Sequence, residues 1–457
     1  MILKRNYINH TLKKLTLTVA LATVFSATHA GVSAEQAAKL GTEFTPIGAI
    51  KGAEGNIPAW EGKVASGSVD SSGRLANPFP NDKPKFVITA ANYMDYAANL
   101  TDGQKAMFKK YPDTYRMPVY ETRRTAGYPQ SIYDVTKQNA VKTELLNDGN
   151  GIANYTDGVP FPFPQTGVEV IWNHLTRYRG GSTARVIGQA TPQTNGDFTI
   201  VKFRDEFTYR NALTDYDPKI DENVLFYFKQ DVISPARLAG NVLLVHETLD
   251  QVKEPRKAWV YNAGQRRVRR APQVAYDGPG TASDGLRTSD NFDMFNGSPD
   301  RYDWKLDGKM ELYIPYNSYK LKDTNLSYDD IVNAGHINQD LTRYELHRVW
   351  KVTATLKEGM RHIYAKRVFY FDEDTWQATQ IDHYDGRGEL WRVAESHNVF
   401  YYNQMVPWYA IEVLYDLNSG RYLALGMDNE EESGYEYNFK RTYSDYTPAA
   451  LRRDGVR

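Results

Sequence analysis

The chain changes its hydrophobic rhythm once, near residue 181. Before that point apolar residues recur at helical spacing in separate segments; after it they alternate with polar ones at strand spacing. Segment 33–40 reads as a short helix, with Ser33 and Gln36 in capping-box spacing. Segment 41–85 is rich in Gly, Pro and Ser and has no sustained period, which predicts an extended arm lying on the body. Segments 89–100 and 101–111 read as abutting helices, the second with its own Thr101…Gln104 box and Pro112 as its stop. A third helix spans 131–146 and closes on Asn147-Asp148-Gly149. The next begins at Thr166, with Glu169 three residues on. It places Val168, Ile171, Trp172 and Leu175 on one face and stops at Gly180-Gly181. Each helix has one apolar stripe and needs a sheet or a neighbour to cover it.

Beyond Ser182, Asn195-Gly196 sits between alternating runs and predicts a hairpin. Strand runs follow at 224–233, 242–249, 258–270, 305–314, 343–356, 362–371, 377–384, 390–402, 410–416 and 421–427. Asp307-Gly308, Asp385-Gly386 and Asn418-Ser419-Gly420 punctuate them as turns. Strands this closely spaced, with no helical crossover and no fixed-period repeat, pair as an antiparallel meander. The predicted class is α+β: a large antiparallel sheet over 182–457, continuous with a helical segment 86–181 packed on it. In 343–356 aromatics and valines fall on both faces. That pattern suits a concave sheet meeting an apolar ligand, and equally a sheet buried on both sides by helices and arm.

The densest chemistry lies between Ala258 and Phe295. Ala258-Trp259-Val260-Tyr261 and Arg266-Arg267-Val268-Arg269-Arg270 flank the turn Asn262-Ala263-Gly264-Gln265. Alternation puts Arg266, Val268 and Arg270 on one face and Arg267 with Arg269 on the other. Three readings stand: a solvated outer strand, guanidiniums for phosphate or carboxylate head groups, or counter-charges to Asp277, Asp284, Asp290 and Asp293 in the following loop. That loop, 271–299, is long and without evident secondary structure, which marks a lid or binding element as against an inert packed loop. Phe292, Met294 and Phe295 give it an apolar tip able to plug a pocket. The candidate ligand-binding residues are Trp259, Arg266, Arg267, Arg269, Arg270, Asp284, Arg287, Phe292, Met294 and Phe295. Val159-Pro160-Phe161-Pro162-Phe163-Pro164 is a stiff segment that would pack on the helix beginning at Thr166 or present its phenylalanines to a partner.

The first thirty residues read as a cleavable export signal. Lys4, Arg5, Lys13 and Lys14 precede an apolar run over 15–25, and Ala27, Thr28 and Ala30 offer a cleavage site after Ala30. With those four cations removed, 55 basic residues fall to 51 against 56 acidic ones, a formal charge of −5 that argues against nucleic-acid binding. The chain has no cysteine, so core and sheet must hold it without disulfides, and it lacks the residue that carries a bacterial lipoprotein's lipid. The 33 tyrosines and 8 tryptophans suit amphiphile pockets and interfaces, and suit plain strand propensity as well.

The order of Trp-led strand, turn, basic strand and Gly/Asp-rich loop resembles periplasmic carriers similar to LolA and LolB. From Thr45-Pro46-Ile47-Gly48-Ala49 to the last strands, the chain resembles the family catalogued as domain of unknown function 1329, often labelled outer-membrane lipoprotein-sorting-like. The resemblance implies an open half-barrel that cradles acyl chains. Its cargo would be a hydrophobic or amphiphilic ligand such as a lipid or acyl chain, and it would travel in the Gram-negative periplasm toward the outer membrane. It also implies an RND-type exporter, or an outer-membrane protein, as partner.

No G-x-S-x-G, H-E-x-x-H, P-loop or G-x-G-x-x-G is present, and the histidines are scattered singly without metal-site spacing. The reading is a non-enzymatic carrier with no catalytic residue, metal or cofactor. An exporter accessory protein and a glycan or lipid hydrolase are the alternatives, the latter requiring a convergent pair of buried carboxylates in a cleft. An outer-membrane barrel does not fit the helical N-terminal region or the ending Asp454-Gly455-Val456-Arg457.

Overall fold

A computed structural model of the protein describes residues 31–219, 222–271, 274 and 276–454; the expected export signal lies outside them. Three of the predicted helix starts form as their caps dictate. In α1 (Ala34–Ala38) the Ser33 hydroxyl accepts from the Gln36 amide at 3.1 Å. In α2 (Asp102–Lys110) and, after α3 (Gln130–Lys142), in α4 (Gly167–Thr176), both halves of the capping box are made.

Two helix expectations are corrected. Segment 89–100 holds only a 3₁₀ stretch, Tyr93–Asn99, because the Asn92 side chain accepts from Thr89 N at 2.7 Å and donates to Val87 O, competing with helical bonds. After Lys142 the chain turns into a strand, and Asn147-Asp148, both left-handed at φ +50° and +55°, join a small hairpin rather than cap a helix.

The strands, in order, are β1 (Phe86–Ile88), β2 (Met117–Val119), β3 (Glu144–Leu146), β4 (Gly151–Ala153), β5 (Ser182–Ala190) and β6 (Ile200–Tyr209). There follow β7 (Val224–Ser234), β8 (Val242–Thr248), β9 (Lys257–Asn262), β10 (Arg267–Arg270), β11 (Tyr302–Pro315) and β12 (Tyr344–Leu356). The last are β13 (Lys366–Asp372), β14 (Ala378–Tyr384), β15 (Leu390–Tyr401), β16 (Val406–Asp416), β17 (Tyr422–Met427) and β18 (Glu436–Tyr437). Apart from β3 and β4 they make one sheet of 16 strands, running β1-β2-β12-β13-β14-β15-β16-β17-β5-β6-β7-β8-β9-β10, with β11 also on β12 and β18 on β5. The two ends of this path do not pair, so the sheet is an open half-barrel, antiparallel in nearly every pairing.

Asp307-Gly308 proves to be a bulge inside β11, whose register with β12 continues from Tyr302↔Leu356 to Pro315↔Tyr344. Asn195-Gly196 lies within the β5–β6 hairpin as predicted, but in a connection over 191–199 rather than as a two-residue turn.

Both faces of the sheet are covered, which decides the ambiguity of the two-sided apolar strands. On the outer face α2 abuts β14 and β15 so closely that a Cβ on Gly103 would meet Asp382 Oδ1 at 2.3 Å. Farther along, Tyr446 and Leu451 of the C-terminal segment bury Tyr227, Leu244 and Tyr261. The inner face carries α4 and the loop 271–299. Sandwiched there, α4 is buried almost all round and not along one stripe; Val168 alone of its residues is partly exposed. Phe161 is fixed on α4 by a reciprocal pair of bonds with Asn173, and Phe163 packs edge-on against Phe44 of the N-terminal arm, so neither is a free docking patch. Among the described residues no helix is long and apolar enough to cross a membrane.

Candidate ligand cavity

Register alone aligns a row of side chains across the inner face: Arg185 on β5, Asp205 on β6, Gln230 on β7, Leu243 on β8, Val260 on β9 and Arg269 on β10. The neighbouring row carries Phe207, Phe228, Val245 and Ala258. Loop 271–299 lies over these rows and leaves a cavity of about 210 Å³. Phe226, Phe228, Leu243, Val245 and Val260 form its floor, and Val274, Pro279 and Phe292 its apolar roof. Its polar lining is Gln230, Arg256, Thr281, Arg287, Ser289 and Asn296, of which Arg256 is already paired with Glu247 at 2.6 Å. An engineered cavity of about 150 Å³ suffices to bind benzene, so this one accommodates an aromatic ring or a short length of a single acyl chain.

The loop is held down by buried charge. Asp293 and Met294 adopt left-handed backbone, φ +53° and +63°, and that bend drives the Asp293 carboxylate inward. There it accepts from Arg177 at 2.5 Å, from Arg179, and from Trp408 Nε1 at 3.2 Å. Asp290 accepts from Arg367 at 2.9 Å and pairs with His362 at 3.1 Å. Burial opposes the charge of both acids, yet their arginines prevail and hold each carboxyl far below the usual range.

Arg287 is different. It is 4% exposed, its Nε and Nη1 have no hydrogen-bond partner, and it makes no ion pair among the described residues. Its guanidinium lies 5.6 Å from the Phe292 ring centre, and burial lowers its pKa against the opposing pull of Glu412, Tyr409 and Asp205.

The sequence-derived candidates separate accordingly. Arg287 and Phe292 line the cavity. Arg267 and Arg269, exposed on β10, share the face of Val260 and stand beside it. Trp259 points to the opposite face, against His246 at 4.8 Å and under Arg270 at 5.7 Å, so those two are not at the cavity. Arg266 sits exposed in the turn at φ +51°. Met294 and Phe295 are 1% exposed and pack into the core beneath the loop, Phe295 against Phe369 at 5.5 Å. Asp284 pairs with Arg421 at 2.8 Å, away from the lining.

The counter-charge reading of the acidic loop is thereby corrected. Its partners are Arg301, Arg421, Arg367, Arg177 and Arg179, not the arginines of β10. The aromatic floor, Phe226 and Phe228, was missed; its one signal was the alternation of aromatics in 224–233.

Elsewhere, β12 and β13 bring His347, Asp372 and Asp374 within 4.8 Å of one another by their ligand atoms. Sequence spacing hides this trio. In the fold each member already has a protein partner: Glu345 at 3.1 Å from His347, Thr375 at 2.7 Å from Asp372 and Arg124 at 2.7 Å from Asp374. Burial and the Asp374 charge push Asp372 up to about 7.

On the outer face, burial and then Asp102 push Asp382 up to about 7 as well, although Gly103 N donates to it at 3.0 Å. A carboxyl raised this way binds its proton in the fold but not in the unfolded chain. Its contribution is therefore full below about pH 4 and is lost as pH rises through about 7. Asp382→Asn keeps the acceptor for Gly103 and removes the charge. Urea unfolding of this variant is expected to show a gain of a few kcal/mol over the parent at pH 8, narrowing steadily on acidification to pH 5.

Residues 87–452 match the family described as "Protein of unknown function (DUF1329)". The chain belongs to that family. An uncharacterized protein of Pseudomonas aeruginosa, PA3922, is 65% identical over 96% of this chain and 97% of its own. Among solved structures, a domain from Vibrio parahaemolyticus named for outer membrane lipoprotein sorting aligns at 12% identity and a TM-score of 0.42, over 60% of this chain and 92% of its own. A DUF1329 protein from Desulfovibrio piger aligns at 15% identity and 0.41, with the same coverage. The LolA superfamily protein NE2245 of Nitrosomonas europaea aligns at 12% and 0.38, over 62% of this chain and 98% of its own. The half-barrel assignment for this chain rests on its own strand order.

Proposed function

We propose that this chain is a periplasmic carrier for an amphiphile, working toward the outer membrane and leaving its cargo chemically unchanged. The observation that carries the reading is the cavity between the aromatic rows of β7–β9 and the loop 271–299. Apolar cargo placed there gains about 25 cal/mol for each Å² withdrawn from water. Arg267 and Arg269 stand at the rim, where they attract an anionic head group during entry.

The two halves of the loop differ in how firmly they are tied. Residues 288–296 are pinned by Asp290 and Asp293. Residues 276–287 are held by Gln189 and Arg392 donating to loop carbonyls and by the part-exposed Asp277–Arg301 and Asp284–Arg421 pairs. Opening therefore belongs to the first half, with the second as its hinge post.

Native mass spectrometry of protein released by osmotic shock and purified without detergent tests this. Mass adducts that organic extraction removes, with the mass of an amphiphile, are the expected result. A bare mass at every charge state, together with no uptake of the apolar dye anilinonaphthalene sulfonate, would end the reading.

A further inference from the structure

The inner face beneath the loop carries an imbalance of buried charge. Arg177 and Arg179 share Asp293, and Arg185 is bonded to Asp205 at 3.2 Å, where Gln230 also donates. Arg287 remains with no partner of its own. The acid that pulls on it most strongly is Glu412 on β16, which is wholly buried and bonded through neither carboxyl oxygen. Glu412 lies in register with Leu425, and Leu425 with Gln189, whose amide donates to Thr281 and Ala282 of the loop. The unpartnered acid and the unpartnered guanidinium thus sit under the same stretch of loop, and of the two it is the guanidinium that lines the apolar cavity, at its polar end. Burial, and after it the charge of Asp293, raise the Glu412 carboxyl well above the usual range.

A buried guanidinium without a partner is costly and is normally paired. What satisfies this one must enter with the cargo, and the surroundings restrict its chemistry. A cationic head would meet the charge of Arg287, with only neutral side chains such as Gln230, Ser289 and Asn296 to accept from it. An alcohol would leave the Arg287 charge uncompensated. A planar carboxylate accepts two parallel N–H groups from one guanidinium and has lone pairs left for the Gln230 and Ser289 donors that also line the cavity. The volume of about 210 Å³ limits the tail to one chain, since two or three acyl chains would have to displace the loop.

Building on the carrier reading of this cavity, we propose that its cargo is a single-chain carboxylic acid, held tail-first against Phe226, Phe228 and Val245 with its carboxylate on Arg287. Arg287 is the residue that selects the head group; Arg267 and Arg269 at the rim only gather it.

The test titrates the mature protein, stripped of bound material, with dodecanoate, dodecanol and dodecyltrimethylammonium at pH 8 by calorimetry. The parent protein is expected to bind dodecanoate about 10- to 100-fold more tightly than dodecanol, and the ammonium amphiphile no better than the alcohol. In Arg287→Gln the preference for dodecanoate should fall to within a few-fold while dodecanol affinity is retained, which also certifies the fold. Glu412→Gln, outside the lining, should retain most of the preference. Equal binding of acid and alcohol by the parent, or a preference that survives Arg287→Gln, overturns the head-group assignment and leaves the carrier reading intact. If none of the amphiphiles binds the parent protein, the cavity reading falls and this inference falls with it.

Discussion

Replacing Asp293 with alanine is expected to lower the free energy of unfolding by about 3–5 kcal/mol, measured as a shift of the urea midpoint at constant slope. Asp293 is 1% exposed and is the shared acceptor of Arg177, Arg179 and Trp408 Nε1. Its removal strands two guanidiniums in the core and leaves an alanine in left-handed backbone, φ +53°, which aspartate tolerates better. Asp293→Asn should lie between parent and alanine, since it keeps the shape and backbone tolerance and loses only the charge. Asp284→Ala is the contrasting control. Its pair with Arg421 is on the surface and about half exposed on the acid side, so the expected change is under about 1 kcal/mol. A similar small loss at both sites would show that the loop is not fastened by its inner acid.

The second large effect concerns binding. Leu243 is partly exposed and faces the cavity from near the start of β8, between Gln230 and Val260 in the same row. Leu243→Trp extends an indole into the space that the cargo's tail would occupy. Uptake of anilinonaphthalene sulfonate or dodecanoate is expected to fall by about 100-fold or more, equivalent to about 3 kcal/mol of lost tail burial. The cost to stability should stay near 1–3 kcal/mol, because the new ring fills space instead of displacing packed neighbours. Undiminished uptake would place the binding site elsewhere.

The sequence was most legible where chemistry is local. Capping boxes at Thr101 and Thr166 marked helix starts, and alternation located β7 to β17 to within a few residues, whereas the short strands β1, β2 and β18 carried no readable period. The meander followed because short connections leave antiparallel pairing as the only economical topology. Within the candidate site, Arg287 and Phe292 were found because a long loop with an apolar tip is unusual.

What stayed hidden depends on partners distant in sequence. Nothing near Asp290 announces Arg367, and nothing near Asp293 announces Arg177; the nearer arginines of β10 looked the better partners and are not. Trp259 was placed at the site because the hairpin was read without knowing which face the loop would cover. Helix α4 showed one stripe in its sequence yet is enclosed all round, since tertiary packing can bury polar positions such as Asn173 and His174 once their hydrogen bonds are supplied.

A half-barrel that does not close ends in a strand with one neighbour. At one of its two ends that strand is β10, and Arg267, Arg269 and Arg270 stand exposed along it. Open edges are where one sheet extends into another, and cationic side chains on a short strand oppose such stacking through mutual repulsion. The cluster thus disfavours the addition of a second copy along this edge, a charge barrier that raised salt would weaken.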